Sequence, residues 1–414
     1  MKTNRRSRYS LLVIILIMLL VAIFLSYSGQ DRLAKKLDQI APQLLEHYKV
    51  PGAAIALVRN GEVVWTKGYG LADKERGVPV SIDTVFQAAS ISKALTSWGV
   101  MRLVENGQLE LDAPVEQYLT RWHLPPSSYD TSGVTIRRLL SHSAGLSVHG
   151  YPGMHPDVQL PSLEESLSGN NGGAGEVRII MEPGTQFSYS GGGYTLLQLI
   201  IEEVTGETFS AYMQREVLDP LGMVHSSFEW RVELRPATAV AYSETGVPLP
   251  NYLFTEKAAA GLYTTAPDLA RFVAAEMPGP LGESAGRGVL SPDTLTLMFT
   301  RVIQSQGLGQ GVWKLPDGSE SIEHGGGNAG WRGVIRAYPK WGVGVVVLTN
   351  SDNGGNLIGD VSRGLWPLLL MERILRILIP ALILAFLIGA IFLIKGLASH
   401  RQLWHRRHEI QGAP

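Results

Sequence analysis

The sequence predicts an α+β fold: one antiparallel sheet built from both ends of a domain, with a helical region inserted between them and transmembrane helices at the termini. Three observations carry this expectation. β-prone apolar runs stand near the start, at 53–58 and 63–69, and near the end, at 311–314, 333–338 and 342–348. Between them, helical spacing and loop composition dominate, as expected when strands and helices segregate along a chain. Asn60-Gly61 separates the first two runs, a pair suited to the positive φ angles of a tight hairpin.

The elements follow in order. Asp31 to Tyr48 predicts an amphipathic helix, with Leu33, Leu37, Ile40 and Leu44 on one face, and Val50-Pro51-Gly52 ends it. After the hairpin, Ser90 to Glu105 has a helical pattern, and Thr135 to Leu140 a short one. Gly191 to Val204 opens on three glycines, becomes helical and stops at Gly206. Thr265-Ala266-Pro267-Asp268 predicts a capped helix to about Ala275, with proline in the first turn. The late strands come next, and a last helix is expected from about Asn356 to Leu370, running nearly straight into the apolar segment that follows. With no internal repeat and no long linker, 30–371 is expected to form one domain.

The termini differ. Leu11 to Leu25 is an unbroken apolar run preceded by Lys2, Arg5, Arg6 and Arg8. This predicts that 1–29 is an uncleaved signal anchor or a signal peptide; Ser26 and Ser28 have the spacing of a cleavage site, so both readings stand. Ile377 to Ile394 carries no charge, a length of roughly 27 Å as a helix, so 372–395 is expected to span a membrane. The basic tail 396–414 and the basic N-terminus are then expected to face the cytoplasm, with the domain between them outside.

Charge and composition exclude several classes. The chain has 414 residues, 45% hydrophobic and 18% charged, which suits a packed core and not a disordered segment. Ten basic and two acidic residues belong to the termini, which leaves 26 basic against 35 acidic residues outside, a formal charge of about −9. An acidic domain without a basic stripe predicts no nucleic-acid partner. The absence of cysteine excludes disulfides, thiolate metal sites and a cysteine nucleophile. His142, His149 and His155 lack the spacing of metal ligands on a helix, and no metal or other cofactor is expected.

Ser90-Ile91-Ser92-Lys93 is the first arrangement able to do chemistry. A serine hydroxyl is a poor nucleophile until a neighbour takes its proton, and residues three apart at a helix start share a face. A helix N-terminus also offers N–H groups to an oxyanion. Lys93 is the one lysine with a serine three places before it. Gly282-Glu283-Ser284-Ala285-Gly286 competes as a nucleophile elbow, but that motif needs a strand before it and a helix after it. The flanking Pro278, Gly279, Pro280, Gly288 and Pro292 predict a loop instead.

The segment 86–93, FQAASISK, resembles the active-site motif of the penicillin-recognising serine hydrolases, which include class C β-lactamases, D,D-peptidases, D-aminopeptidases and β-lactamase-like esterases. Further matches follow in the family's order: LLSHSAGL at 139–146, EPGTQFSYS at 182–190, DPLGM at 219–223, GLYTT at 261–265 and His324-Gly325-Gly326, which is similar to the third motif. The resemblance covers about 31–370. It implies an antiparallel sheet flanked by helices, plus an all-helical region. It implies Ser90 as nucleophile, Lys93 as its activator and Tyr189 as a partner in proton transfer. The N–H groups of Ser90 and Gly327 would form an oxyanion hole, and His324, Gly325 and Gly326 would lie beside the substrate. His142 would be structural.

The expected activity is hydrolysis of amides or esters through a Ser90 acyl-enzyme, at the membrane of a bacterium and outside the cytoplasm. Candidate substrates are small molecules or peptides: D-amino-acid peptides, acylated secreted metabolites or simple esters. A true β-lactamase is the alternative, and a silent sensor that binds β-lactams or cell-wall peptides is another. One departure bears on this choice. The family usually has Asn two residues after the tyrosine, where this chain has Gly191. Loss of a side chain able to hold a substrate amide predicts a roomier site and weak β-lactam turnover.

Overall fold

The structure, a computed structural model, describes residues 32–411, leaving aside the side chains of scattered positions from 366 onward. The N-terminal anchor or signal expected over 1–29 lies outside the described residues. Ile40–Val361 forms one compact unit; the flanking segments, up to Gln39 and from Ser362, form the other.

Helix α1 covers 32–48, as its apolar spacing predicts. The first hairpin, β1 (Gly52–Arg59) and β2 (Glu62–Asp73), turns on Asn60 and Gly61, with φ of 48° and 74°. These angles match the turn that twists with the flanking strands. Strands β3 (Val78–Pro79) and β4 (Phe86–Gln87) lead to α2 (Ser92–Glu105). Helix α3 (Gly191–Thr205) is capped by the Ser190 hydroxyl, which accepts from Gly193 N–H, and stops at Gly206 in the left-handed conformation. Short α4 (Lys257–Ala260), β5 (Tyr263–Thr264) and α5 (Ala266–Ala275) follow, the last capped by Thr265. Strands β6 (Gly311–Lys314), β7 (Glu320–Asn328), β8 (Trp331–Tyr338) and β9 (Val343–Thr349) complete the sheet.

The seven strands lie in the order β3-β2-β1-β9-β8-β7-β6, and every neighbouring pair is antiparallel. Strand β1 from the start of the domain pairs with β9 from its end, Ile55 opposite Val347. The sheet is therefore assembled from both ends, as the distribution of apolar runs predicts. Helix α5 packs on β1, β2 and β9, and one continuous apolar core joins it to α2 and α3.

Strand β7 was not indicated by apolar periodicity, because its second half is His324-Gly325-Gly326-Gly327. The last helix continues past residue 370 into the apolar run, as expected: α6 runs unbroken from Gly354 to Gln411, through Pro367 and Pro380. The segment 371–377, MERILRI, consists of good helix formers and provides no stop. Among the described residues, which leave out the side chains of several positions between 372 and 400, no helix is long and apolar enough to cross a membrane, and the span expected over 372–395 rests on the sequence alone.

Candidate active site

The nucleophile candidate sits on a turn held from several sides. Phe86 and Gln87 pair with Thr264 and Tyr263, and Ala88 N–H donates to the Leu262 carbonyl at 2.8 Å. Ala89 then takes a left-handed conformation, φ 50°, costly for a side chain with a Cβ and tolerated where the surroundings enforce it. The turn 89–91 leads directly into α2 and places Ser90, half-buried, at the helix start. Ser92 locks the turn: its hydroxyl donates to the Ala89 carbonyl at 2.5 Å and accepts from Leu262 N–H at 3.0 Å.

Lys93 is 1% exposed, and its Nζ donates to Ser90 Oγ at 3.1 Å and to the Ala259 carbonyl at 2.7 Å. It lies over two phenol rings, 5.0 Å from the centre of Tyr189 and 5.6 Å from that of Tyr194. A buried ammonium needs such partners, since an unpaired one costs several kcal/mol. Carbonyl, hydroxyl and π faces together fix where its proton-bearing nitrogen sits.

Tyr189 is held by loops that the sequence motifs encode. Ser188 N–H donates to the His142 carbonyl and Gly184 N–H to that of Ser143, each at 2.7 Å. The His142 ring stacks on Tyr189 at 4.2 Å between centres, and its Nδ1 accepts from Ser190 N–H at 3.1 Å. Burial first, then the Lys93 cation, hold the His142 pKa well below its usual range. His142 is therefore neutral and serves as a packed support for Tyr189. Tyr194, absent from the sequence expectations, completes the floor: it donates to the Leu140 carbonyl at 3.1 Å and shares a 3.0 Å bond with Ser97.

Strand β7 forms the facing wall. His324, Gly325, Gly326, Gly327 and Asn328 line one cleft of about 390 Å³ with Ser90, Lys93, Tyr189, His149, Gly150, Tyr151, Ala259 and Ala260. The residues expected at the site, Ser90, Lys93, Tyr189 and His324 to Gly327, thus meet in one place, whereas the motifs at 139–146, 219–223 and 261–265 do not line it. Gly326 is required by close approach: a Cβ there would lie 2.2 Å from the Ala88 carbonyl oxygen. Asn328 ties this wall to the nucleophile's strand through a 2.8 Å bond to Gln87. The loop 149–151 was missed by sequence reasoning; its signal was the pairing of His149 and Tyr151 within a glycine- and proline-rich stretch.

His324 keeps one edge open to the cleft, yet the protein around its ring and the nearby Lys93 ammonium lower its pKa to about 4. Its Nδ1 lies 2.7 Å from the Gly325 carbonyl, which can only accept, so Nδ1 carries the proton and Nε2 is left as an acceptor. Between the unfolded value near 6.5 and the folded value of about 4, the unfolded chain binds the extra proton. Stability from this group is full above the unfolded value and is lost as pH falls through that window. Denaturant titrations of His324→Gln and wild type from pH 7 to pH 4 should therefore differ in slope. We expect wild type to lose about 1–2 kcal/mol more than the variant after solvent screening. Equal slopes would place His324 in an ordinary solvated environment.

Ser284 is exposed on a loop between α5 and the helix Pro292–Met298, with no strand leading into it. The nucleophile-elbow pattern there has neither of its required elements.

Comparison with known proteins agrees with this geometry. A family model described as Beta-lactamase matches residues 37–360. The protein PbpX of Bacillus subtilis (strain 168) is 29% identical over 322 residues, 76% of this chain and 74% of that protein. Protein flp of Staphylococcus aureus (strain MRSA252) is 26% identical over 327 residues, 76% of this chain; the match spans 62% of its length. The octameric penicillin-binding protein homologue from Pyrococcus abyssi superposes with a TM-score of 0.67 at 28% identity, covering 77% of this chain and 74% of that one. With the family model spanning most of the compact unit and the Ser90–Lys93 pair at its cleft, the chain belongs to the beta-lactamase family of penicillin-recognising serine hydrolases.

Proposed function

We infer that the protein hydrolyses ester or amide bonds through an acyl-enzyme on Ser90. The observation that carries this reading is the 3.1 Å contact between Ser90 Oγ and the buried Lys93 Nζ, at a helix start that opens into the cleft. In the reaction, the Lys93 ammonium first releases a proton to solvent; the Ser90 hydroxyl proton then passes to the freed amine as Oγ bonds to the substrate's carbonyl carbon. The oxyanion that forms is held by the N–H groups of Ser90 and Gly327. Tyr189 gives its phenolic proton to the leaving alcohol or amine as the carbonyl–leaving-group bond breaks, and is reprotonated from Lys93. Water then attacks the acyl carbon, returns a proton through the same groups and frees the acid.

Intact-protein and peptide mass spectrometry after exposure to penicillin, D-aminoacyl amides and short-chain esters tests this reading. The expected result is an adduct on the peptide that contains Ser90. Modification confined to another residue would overturn it. Weak β-lactam turnover is expected relative to the best ester, because Gly191 offers no side chain to a β-lactam's amide.

The proposal extends to location: the domain lies outside the cytoplasm, anchored by 372–395. The uncharged run 377–394 and the basic residues Lys395, Arg401, Arg406 and Arg407 after it support this. Reporter fusions after residue 361 and after residue 405 should report opposite sides of the membrane. The same side for both would refute the anchor.

A further inference from the structure

The glycine at 191 does not leave the empty space that its sequence position suggests. A Cβ built there would lie 3.1 Å from the His149 carbonyl oxygen and 3.2 Å from Tyr151 Cε2. The loop 148–151 crosses the start of α3, where Gly191 N–H donates to the His149 carbonyl and Gly192 N–H to that of Val148, each at 3.0 Å. The Tyr151 hydroxyl is fixed at 2.7 Å to Thr195, a fully buried residue whose own hydroxyl also donates to the Gly191 carbonyl at 3.2 Å. Tyr151 lines the cleft beside Ser90. The volume that an amide-bearing side chain at 191 would use is filled by a tethered aromatic ring.

The polar groups of the Tyr151 wall are already engaged. The phenol is committed to Thr195, and two loop carbonyls are committed to the first turn of α3. His149, the other side chain there, is exposed and lies against the Tyr189 ring at 4.9 Å. Where a side chain at 191 would stand, the Tyr151 ring presents an aromatic surface, which favours flat apolar groups. A substrate amide buried against it loses water without a replacement partner, a cost of about 1–3 kcal/mol.

We propose that Tyr151 is the specificity-determining wall of the cleft and selects substrates that present a flat apolar group over substrates that present an amide. The proposal rests on Ser90 being the nucleophile and names the substrate class for that site. The ring's tether to Thr195 makes the wall rigid, so the selection is built in before substrate arrives.

Fluorophosphonates that differ only in one substituent test it, since they report reactivity at the serine without requiring the natural substrate. Full-length protein is treated with benzyl and acetamidomethyl versions, and labelling of the Ser90 peptide is timed. Wild type should label at least about tenfold faster with the benzyl probe, the ratio that an unpaired amide implies. Tyr151→Phe keeps the ring and should keep the preference; Tyr151→Asn should reduce the ratio to threefold or less. A wild-type ratio below three, or a preference that survives in Tyr151→Asn, overturns the proposal while leaving the Ser90 reading intact. Failure of every probe to label Ser90 overturns both.

Discussion

Ser90→Ala should lower turnover of any ester or amide substrate by at least about 10³-fold, whereas Ser284→Ala should remain within about twofold of wild type. The two serines differ in everything the chemistry needs. Ser90 has a buried amine 3.1 Å from its oxygen, a helix start behind it and a cleft in front. Ser284 lies exposed on a loop. Lys93→Ala should be nearly as damaging as Ser90→Ala, because the buried amine is the base that the hydroxyl contacts. The double variant should be no worse than Ser90→Ala alone, since the pair acts as a unit. The measurement is kcat/KM on the best ester, with folding checked by thermal melting. Loss of activity in folded Ser284→Ala with retention in Ser90→Ala would move the active site elsewhere.

Much of the fold was legible because local chemistry and tertiary structure agree. Asn60-Gly61 made the hairpin, Thr265 capped its helix, and Gly206 stopped α3. Ser90 and Lys93 were legible for the same reason: their spacing has meaning only at a helix start, and a helix starts there. Strand β7 was not legible. A run of three glycines has little strand preference of its own, and it is extended here because β8 pairs with it, Gly333 opposite Gly326, while β6 pairs with the first half of the strand. Tyr151 escaped because its role depends on a loop without periodicity folding back over α3. Gly191 was visible as a departure, but its consequence was inverted: the missing side chain is replaced, and the space does not stay open.

Gly326→Ala should reduce kcat by at least about 10²-fold while the protein still folds, although a single methyl group is added outside the reacting atoms. That methyl would lie 2.2 Å from the Ala88 carbonyl oxygen and 3.3 Å from Ile91 Cγ1. Ordinary contact requires about 1 Å more, and the Ala88 side has little freedom to yield. Its N–H is bonded to Leu262, its strand is paired with β5, and its carbonyl accepts from Ile91 N–H at the start of the nucleophile's turn. Strand β7 must therefore shift, and with it Gly327, which the proposed mechanism assigns to the oxyanion. A displacement of this size between oxyanion donor and nucleophile is what costs two orders of magnitude. Gly325→Ala should be milder, because the nearest atom to its added Cβ is the Gly333 carbonyl oxygen at 3.9 Å. The signature is a fall in kcat larger than any rise in KM, with the melting temperature of Gly326→Ala lowered by a few degrees. Equal kinetics for the two alanine variants would show that the close approach of β7 to the Ser90 turn does not govern the site.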